Sequence, residues 1–211
     1  MRTVSLISQK GGVGKTTLAT ALGVEAAREG RKTIVLDVDP QASASFWMDN
    51  RVGDSLAVTA IPAARLGHVL SAAAEASADL AIIDTPPFAK DIAFEAANRA
   101  DFVLVPARPA VLDIMAMTRT LELLSTIGTP SAVVLTFCPP VGREITEAEE
   151  AVSSLGAIMC PVRIGNRIAY ARAQQEGLGA QEYEPSGKAA QELKALYEYL
   201  CIQLYGPGKN G

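Results

Sequence analysis

Short apolar runs alternate with longer amphipathic stretches from one end of the chain to the other. The runs "TVSLIS" (3–8), "KTIVLDV" (32–38), "LAVTAI" (56–61), "DLAIIDT" (79–85), "DFVLVPA" (101–107) and "SAVVLTF" (131–137) predict strands, with a weaker candidate in "AIMCPV" (157–162). Their apolar residues are continuous rather than alternating, as in strands covered on both faces. Helical spacing predicts helices over 16–29, 63–77, 91–99, 112–127 and 144–155, then two in succession over 165–176 and 186–205. Strand and helix in alternation predict an α/β fold, a doubly wound and mainly parallel sheet flanked by helices. No glycine/serine linker, repeat or low-complexity run interrupts the pattern. One domain over 1–205 is therefore expected, with 206–211 a flexible tail.

Composition narrows the picture further. Of the 211 residues 49% are apolar, enough for a large core and too many for disorder. The net charge of −4 means that any DNA-binding surface must be a local basic patch. Cys138, Cys160 and Cys201 are scattered, which suits reduced thiols better than disulfides or a metal site. The lone His68 excludes a histidine cluster and is expected at the surface or boundary of an alanine-rich helix. No apolar run reaches the ~18 residues of a membrane span, and the start has no signal-peptide layout. A cytoplasmic protein without a membrane role is expected.

The candidate chemistry begins at "SQKGGVGKTT", residues 8–17. The standard phosphate loop reads Gly, four residues, then Gly-Lys-Ser/Thr. Counting back from Gly14-Lys15-Thr16 puts Gln9 where the first Gly should stand, and a second lysine, Lys10, follows it. The context is nonetheless that of a phosphate loop, a strand before it and a helix after it. Gly11, Gly12 and Gly14 let the backbone aim its N–H groups inward at phosphate oxygens, and the helix N-terminus adds partial positive charge. Lys15 can reach the β- and γ-phosphates, and the Thr16 hydroxyl can bind magnesium. A ligand-free glycine-rich turn is the alternative, and it leaves the Lys-Thr-Thr run unexplained.

In a parallel sheet, ligands sit at the carboxyl ends of the strands. "IVLDVDPQ" places Asp37 and Asp39 there, and "LAIIDTPP" places Asp84. Such carboxylates can hold magnesium or orient an attacking water; equally, an aspartate can cap the turn that follows it. Two strand-end sites together with the loop favour nucleotide hydrolysis.

"QKGGVGKTT", "DVDPQAS" and "IIDTPP" resemble, in order and spacing, the ParA/MinD group of deviant Walker ATPases. The loop of that group is written K-G-G-x-x-G-K-[ST]: Lys10 is its distinguishing residue, and Gln9 is permitted. "ADFVLVPARPAVLDIMA" and "IGNRIAYARAQQEGLGAQEYEPSGKAAQEL" resemble, more loosely, the small ParF-like ParA proteins. The resemblance implies a P-loop NTPase fold, with ATP and Mg2+ as ligands. Lys10, Gly11, Gly12, Val13, Gly14, Lys15, Thr16 and Thr17 would hold the nucleotide. Lys15 and Thr16 would act within their own subunit, whereas Lys10 would reach the partner's phosphates in an ATP-bound homodimer. Asp39 would position the attacking water, with Asp37, Asp84 and Thr16 on the magnesium side. No strong general base is apparent, so slow hydrolysis suited to a switch is implied. Where many relatives carry a basic or polar residue after the sixth strand this chain reads "LTFCPP", and the adenine contacts stay open.

Within the group, the three cysteines do not suit a shared iron–sulfur cluster, and a tyrosine-rich kinase tail is missing. The stripe Leu193, Leu196, Leu200 and Leu204 carries mixed charges beside it, which fits core packing better than the membrane helix of MinD. The loop starts about ten residues in, so no N-terminal helix-turn-helix is expected. Arg163, Arg167 and Arg172, with no acidic residue among them, could track phosphates without reading sequence, or could form a solvated face. The expectation is a nucleoid-associated ParA-type partition ATPase that binds double-stranded DNA nonspecifically and is stimulated by a ParB/ParG-like partner protein. A MinD-like ATPase cycling on a membrane is the alternative.

Overall fold

The computed structural model describes residues 1–53 and 56–207. The six strong apolar runs are its strands: β1 (Arg2–Leu6), β2 (Thr33–Asp37), β3 (Ala57–Ala60), β4 (Leu80–Asp84), β5 (Phe102–Ala107) and β6 (Ser131–Leu135). They pair in the order β3-β2-β4-β1-β5-β6, every pair parallel. The doubly wound α/β expectation holds. Each inner strand sends alternate residues to opposite cores. Val4, Leu6, Ile82 and Leu104 face one side, and Ile7, Ile83, Val103 and Val105 the other.

The helices cover both faces. On the first lie α1 (Lys15–Arg28), α7 (Ile168–Gln175) and α9 (Lys188–Tyr205); on the second, α3 (Leu66–Glu75), α4 (Lys90–Asn98), α5 (Val111–Ile127) and α6 (Glu144–Ser154). α1 lies close on the sheet because Gly23 has no side chain: a Cβ there would stand 2.9 Å from Val35 Cγ2. Leu193, Leu196, Leu200 and Leu204 of α9 are all buried in the core shared with α1, so the leucine stripe is packing surface. Each fully buried leucine contributes roughly 2 kcal/mol.

Three differences from the sequence expectations have physical causes. The weak strand over 157–162 is not a strand. That segment runs along the free edge of β6, bonding through Ile158 and Cys160 to Val133, but it forms only an isolated bridge at Met159. The ladder does not continue, because the Leu135 carbonyl accepts from Ile164 N instead of the in-register Val162 N. A short helix, α2 (Ser43–Asp49), follows "DPQA" instead of a loop; its buried Trp47 donates its indole N–H to the Leu178 carbonyl at 3.1 Å. A single turn, α8 (Ala180–Tyr183), fills the gap between the two C-terminal helices. His68 is exposed on α3, as expected, and Cys138, Cys160 and Cys201 are free and buried. The end of the proposed tail, 208–211, lies outside the described residues. Among those described, no helix is long and apolar enough to cross a membrane.

Candidate functional site

Strand order decides where the site lies. The chain leaves β1 towards β2 and leaves β4 across to β5, so a crevice opens at the carboxyl edge between them. The register places Asp84 level with both Leu6 and Asp37, so the two strand-end carboxylates sit under the loop that leaves β1.

That loop turns through left-handed backbone at Gly12 (φ 70°) and Gly14 (φ 89°), which glycine adopts without cost. Gly14 then caps α1. The loop carbonyls are bound from outside. Lys15 Nζ donates to the Ser8 and Lys10 carbonyls at 3.3 and 3.2 Å. The Thr136 hydroxyl donates to Val13 O at 2.9 Å, and the Arg108 guanidinium donates to Gly12 O. With its carbonyls held in this way, the loop has amides left to face the hollow at the N-terminus of α1. The first amides of α1, at Lys15, Thr16 and Thr17, have no partner within the helix. Such a nest of N–H groups at a helix end binds anions.

The charged side chains around it are unequal. Lys15 is buried, and burial lowers its pKa against the pull of Asp84 and Asp39. An anionic ligand would relieve that desolvation. The Thr16 hydroxyl donates to Asp84 Oδ2 at 2.6 Å, while Asp84 Oδ1 is buried with no hydrogen-bond partner. Burial pushes the Asp84 carboxyl up to about 7, the Thr16 bond opposing and Asp37 assisting. An orphaned carboxylate oxygen beside a hydroxyl fits one face of a hard, oxygen-seeking cation such as Mg2+. Among the described residues no group of three or more His, Cys, Asp or Glu could cage a metal. Phosphate oxygens would have to supply further ligands, as is usual for Mg2+ at nucleotide sites.

Asp37 and Asp39 lie at the same edge but are engaged differently. Asp37 Oδ1 accepts from Asp39 N at 3.0 Å, and Oδ2 accepts from Ala44 N and Ser45 N at 2.8 and 3.3 Å. Both oxygens are thus committed to the turn and the start of α2, the capping use that an aspartate offers. Burial nonetheless raises its pKa above the ordinary value. Asp39 is half-buried and close enough to act on Lys15, and its Oδ1 accepts from Gln41 N at 2.9 Å. Lys10 points along its own chain, with Nζ 3.2 Å from Asp113 Oδ1 in the first turn of α5.

Beside the loop is a cavity of about 380 Å3 whose walls include Gly14, Thr17, Phe137, Ile164, Asn166 and Tyr170. Phe137, Ile164, Asn166 and Tyr170 come from the stretch after β6 and from α7, and sequence reasoning missed them. The rule that drew attention to Asp37 and Asp84 applies equally to the ends of β5 and β6, where Arg108, Thr136 and Phe137 stand.

The three candidate DNA arginines do not share one environment. Arg163 is exposed and pairs with Glu149 at 2.6 Å. Arg167 precedes α7, borders the cavity and pairs with Glu192 of α9 at 2.5 Å. Arg172 is exposed on α7 with no hydrogen bond or ion pair among the described residues.

Fold, loop and strand-end carboxylates together define a phosphate-loop nucleotide-binding protein of the two-lysine type. Residues 4–179 match the family model described as the CobQ/CobB/MinD/ParA nucleotide binding domain, and the chain belongs to that family. It is 33% identical over 212 residues to the maintenance of carboxysome distribution protein A of Gloeobacter kilaueensis, covering 96% of this chain and 94% of the relative. It is 31% identical over 128 residues to the protein ParA of Rhizobium radiobacter, covering 59% of this chain and 57% of that one. Among solved structures, an ATP complex of an McdA variant from Cyanothece superposes with a TM-score of 0.77 over 95% of this chain and 96% of that one. At 22% identity that likeness shows the fold.

Proposed function

We propose that this chain is a ParA-type positioning ATPase, which binds ATP with Mg2+ in the loop crevice, closes into a homodimer around it and hydrolyses it slowly. The observation that carries the reading is the convergence of Lys15, Thr16 and the orphaned Asp84 Oδ1 at one loop, with Lys10 beside them, in a member of the MinD/ParA family. Mg2+ held by Thr16 and Asp84 would neutralise charge building on the phosphates. Lys15 would leave the Ser8 and Lys10 carbonyls for the β- and γ-phosphates of its own subunit. Lys10 would leave Asp113 for the partner's nucleotide, stabilising transition-state charge as an arginine finger does. Asp39, the less encumbered of the β2 pair, would orient the attacking water, and Asp37 would hold the α2 turn in place behind it. The base would occupy the cavity beside Phe137.

The names of two relatives, one for carboxysome distribution and another ParA, support a cargo role. A dimer that holds nonspecific double-stranded DNA when loaded with ATP, and lets go after hydrolysis stimulated by a cargo-bound ParB/ParG-like or adaptor protein, would position that cargo over the nucleoid. Arg172 is the freest of the candidate DNA contacts. Burial of the α9 leucine stripe supports this reading over membrane cycling.

Two assays on the full chain test it. Retention on two unrelated DNA duplexes with ATP and Mg2+, but not with ADP, is expected. Co-sedimentation with anionic liposomes in ATP, without DNA retention, would replace this reading by the membrane-cycling one.

A further inference from the structure

Phe137 is distinctive in two respects. It is a bulky residue in left-handed backbone, with φ 53°, a conformation that side chains of its size rarely adopt. And it is gripped: the Arg108 guanidinium lies over its ring, 4.3 Å from the centroid, while its edge meets Gly14, where an added Cβ would be 3.5 Å from Cε2. Strained residues persist where their surroundings over-determine them, and they concentrate at ligand sites.

Arg108 is as unusual as its partner. It follows the last residue of β5 and donates to the carbonyl of Gly12 in the phosphate loop. Its Nε is buried without an acceptor, and no carboxylate pairs with it among the described residues. A cation beside an anion-binding loop, lacking a counter-ion of its own, suits a site whose counter-ion is the ligand. One guanidinium thus touches both the loop that would hold phosphate and a ring lining the adjacent cavity.

We propose that Phe137 is the stacking wall for a purine base, and that Arg108 is the positioning residue that locks this ring to the Gly12 turn of the phosphate loop. The inference rests on the nucleotide-binding reading above and assigns the base side of that site. A ring held by a guanidinium on one side is rigid, and a base stacks on a rigid aromatic surface with little ordering cost. Purines present more surface than pyrimidines and gain more from stacking. Arg108 would act through the ring and the loop together, so its loss should weaken phosphate binding as well as base selection.

The test is displacement of a fluorescent ADP analogue by ATP and by CTP, each with Mg2+, using the full chain. The variants are Phe137→Leu, Phe137→Trp and Arg108→Gln, with thermal melts to confirm that each folds. Loss of a base–aromatic stack predicts roughly tenfold weaker ATP binding in Phe137→Leu, with a smaller loss for CTP, whose single ring offers less surface to stack. Phe137→Trp should restore the preference for ATP. Arg108→Gln keeps a donor for Gly12 but loses the charge and the stack; it should lower the ATP preference and weaken both nucleotides together, raising KM more than it lowers kcat. Parent-like ATP/CTP ratios in Phe137→Leu and Arg108→Gln would overturn the inference, as would equal losses for the two nucleotides in Phe137→Leu that Phe137→Trp does not rescue. A parent chain that binds neither nucleotide would overturn the functional reading itself.

Discussion

Lys10 Nζ stands 3.2 Å from Asp113 Oδ1, and the aspartate is nearly buried while the lysine is about one-third exposed. The loop's second lysine is therefore held by an α5 carboxylate of its own subunit. If Lys10 serves the partner's phosphates, this pair must open when the dimer closes. Lys10→Ala is expected to bind nucleotide within a few-fold of the parent yet remain a monomer with ATP, as light scattering would show. A normal ATP dimer of Lys10→Ala would remove the trans assignment. Asp113→Asn keeps the shape but frees the lysine, and it should dimerise at lower ATP concentration than the parent.

Asp39 and Asp37 can be separated by the same logic. Asp37 has both oxygens on backbone amides, so Asp37→Ala leaves the start of α2 uncapped and should cost about 1–2 kcal/mol of stability. Among the described residues Asp39 accepts a hydrogen bond only from the Gln41 amide, so Asp39→Ala should melt near the parent temperature. It should bind ATP, form a long-lived dimer and fail to turn over. Parent-rate hydrolysis by Asp39→Ala would shift the water-orienting role elsewhere.

The architecture was readable from continuous apolar runs, because a strand buried on both faces has no other use for "IVLDV" or "LAIID". The phosphate side of the site was readable too, since a glycine-rich turn between strand and helix permits few alternatives. α2 was not readable: "ASASFWMDN" gives little helical periodicity, and its start is set by the distant-looking Asp37 carboxylate. The base-side cavity was also hidden. It is assembled from the ends of β5 and β6 and the approach to α7, segments that sequence spacing does not bring together. Likewise, Arg167 reads as a free cation in sequence, because Glu192 is 25 residues away along the chain.

Asp84 ties stability to pH. Its carboxyl is raised from 3.8 to about 7 in the folded chain, chiefly by burial. The folded state therefore binds the proton more tightly than the unfolded one. Its contribution is full below pH ~4 and is lost as pH rises through about 7. The difference between those values corresponds to at most about 4 kcal/mol. Asp84→Asn resembles the neutral acid, so without nucleotide or Mg2+ it should melt higher than the parent at pH 8. The gain should shrink towards pH 4. Melting curves at several pH values would show it, and a gain independent of pH would mean that Asp84 is charged throughout.

The arginines give a graded prediction for DNA. Arg167 is committed to Glu192, which also accepts from the Tyr170 hydroxyl at 3.0 Å and from Gly165 N at 3.1 Å. Its removal would loosen the join between α7 and α9 and confuse any binding measurement. Arg163 is partly neutralised by Glu149, so its loss should change little. Arg172, exposed and unpaired among the described residues, is the clean probe. Each phosphate contact contributes about 0.9 to the slope of log affinity against log salt. Removing Arg172 from both subunits of an ATP dimer should therefore lower that slope by about 1.8. Over a fourfold rise in salt this is roughly a tenfold smaller loss of affinity. Basal hydrolysis should be unchanged, because Arg172 belongs to neither the phosphate loop nor the strand-end carboxylates. A salt titration on two unrelated duplexes measures it: equal slopes for parent and Arg172→Ala would take α7 out of the DNA interface, and a strong preference for one duplex would count against nonspecific binding.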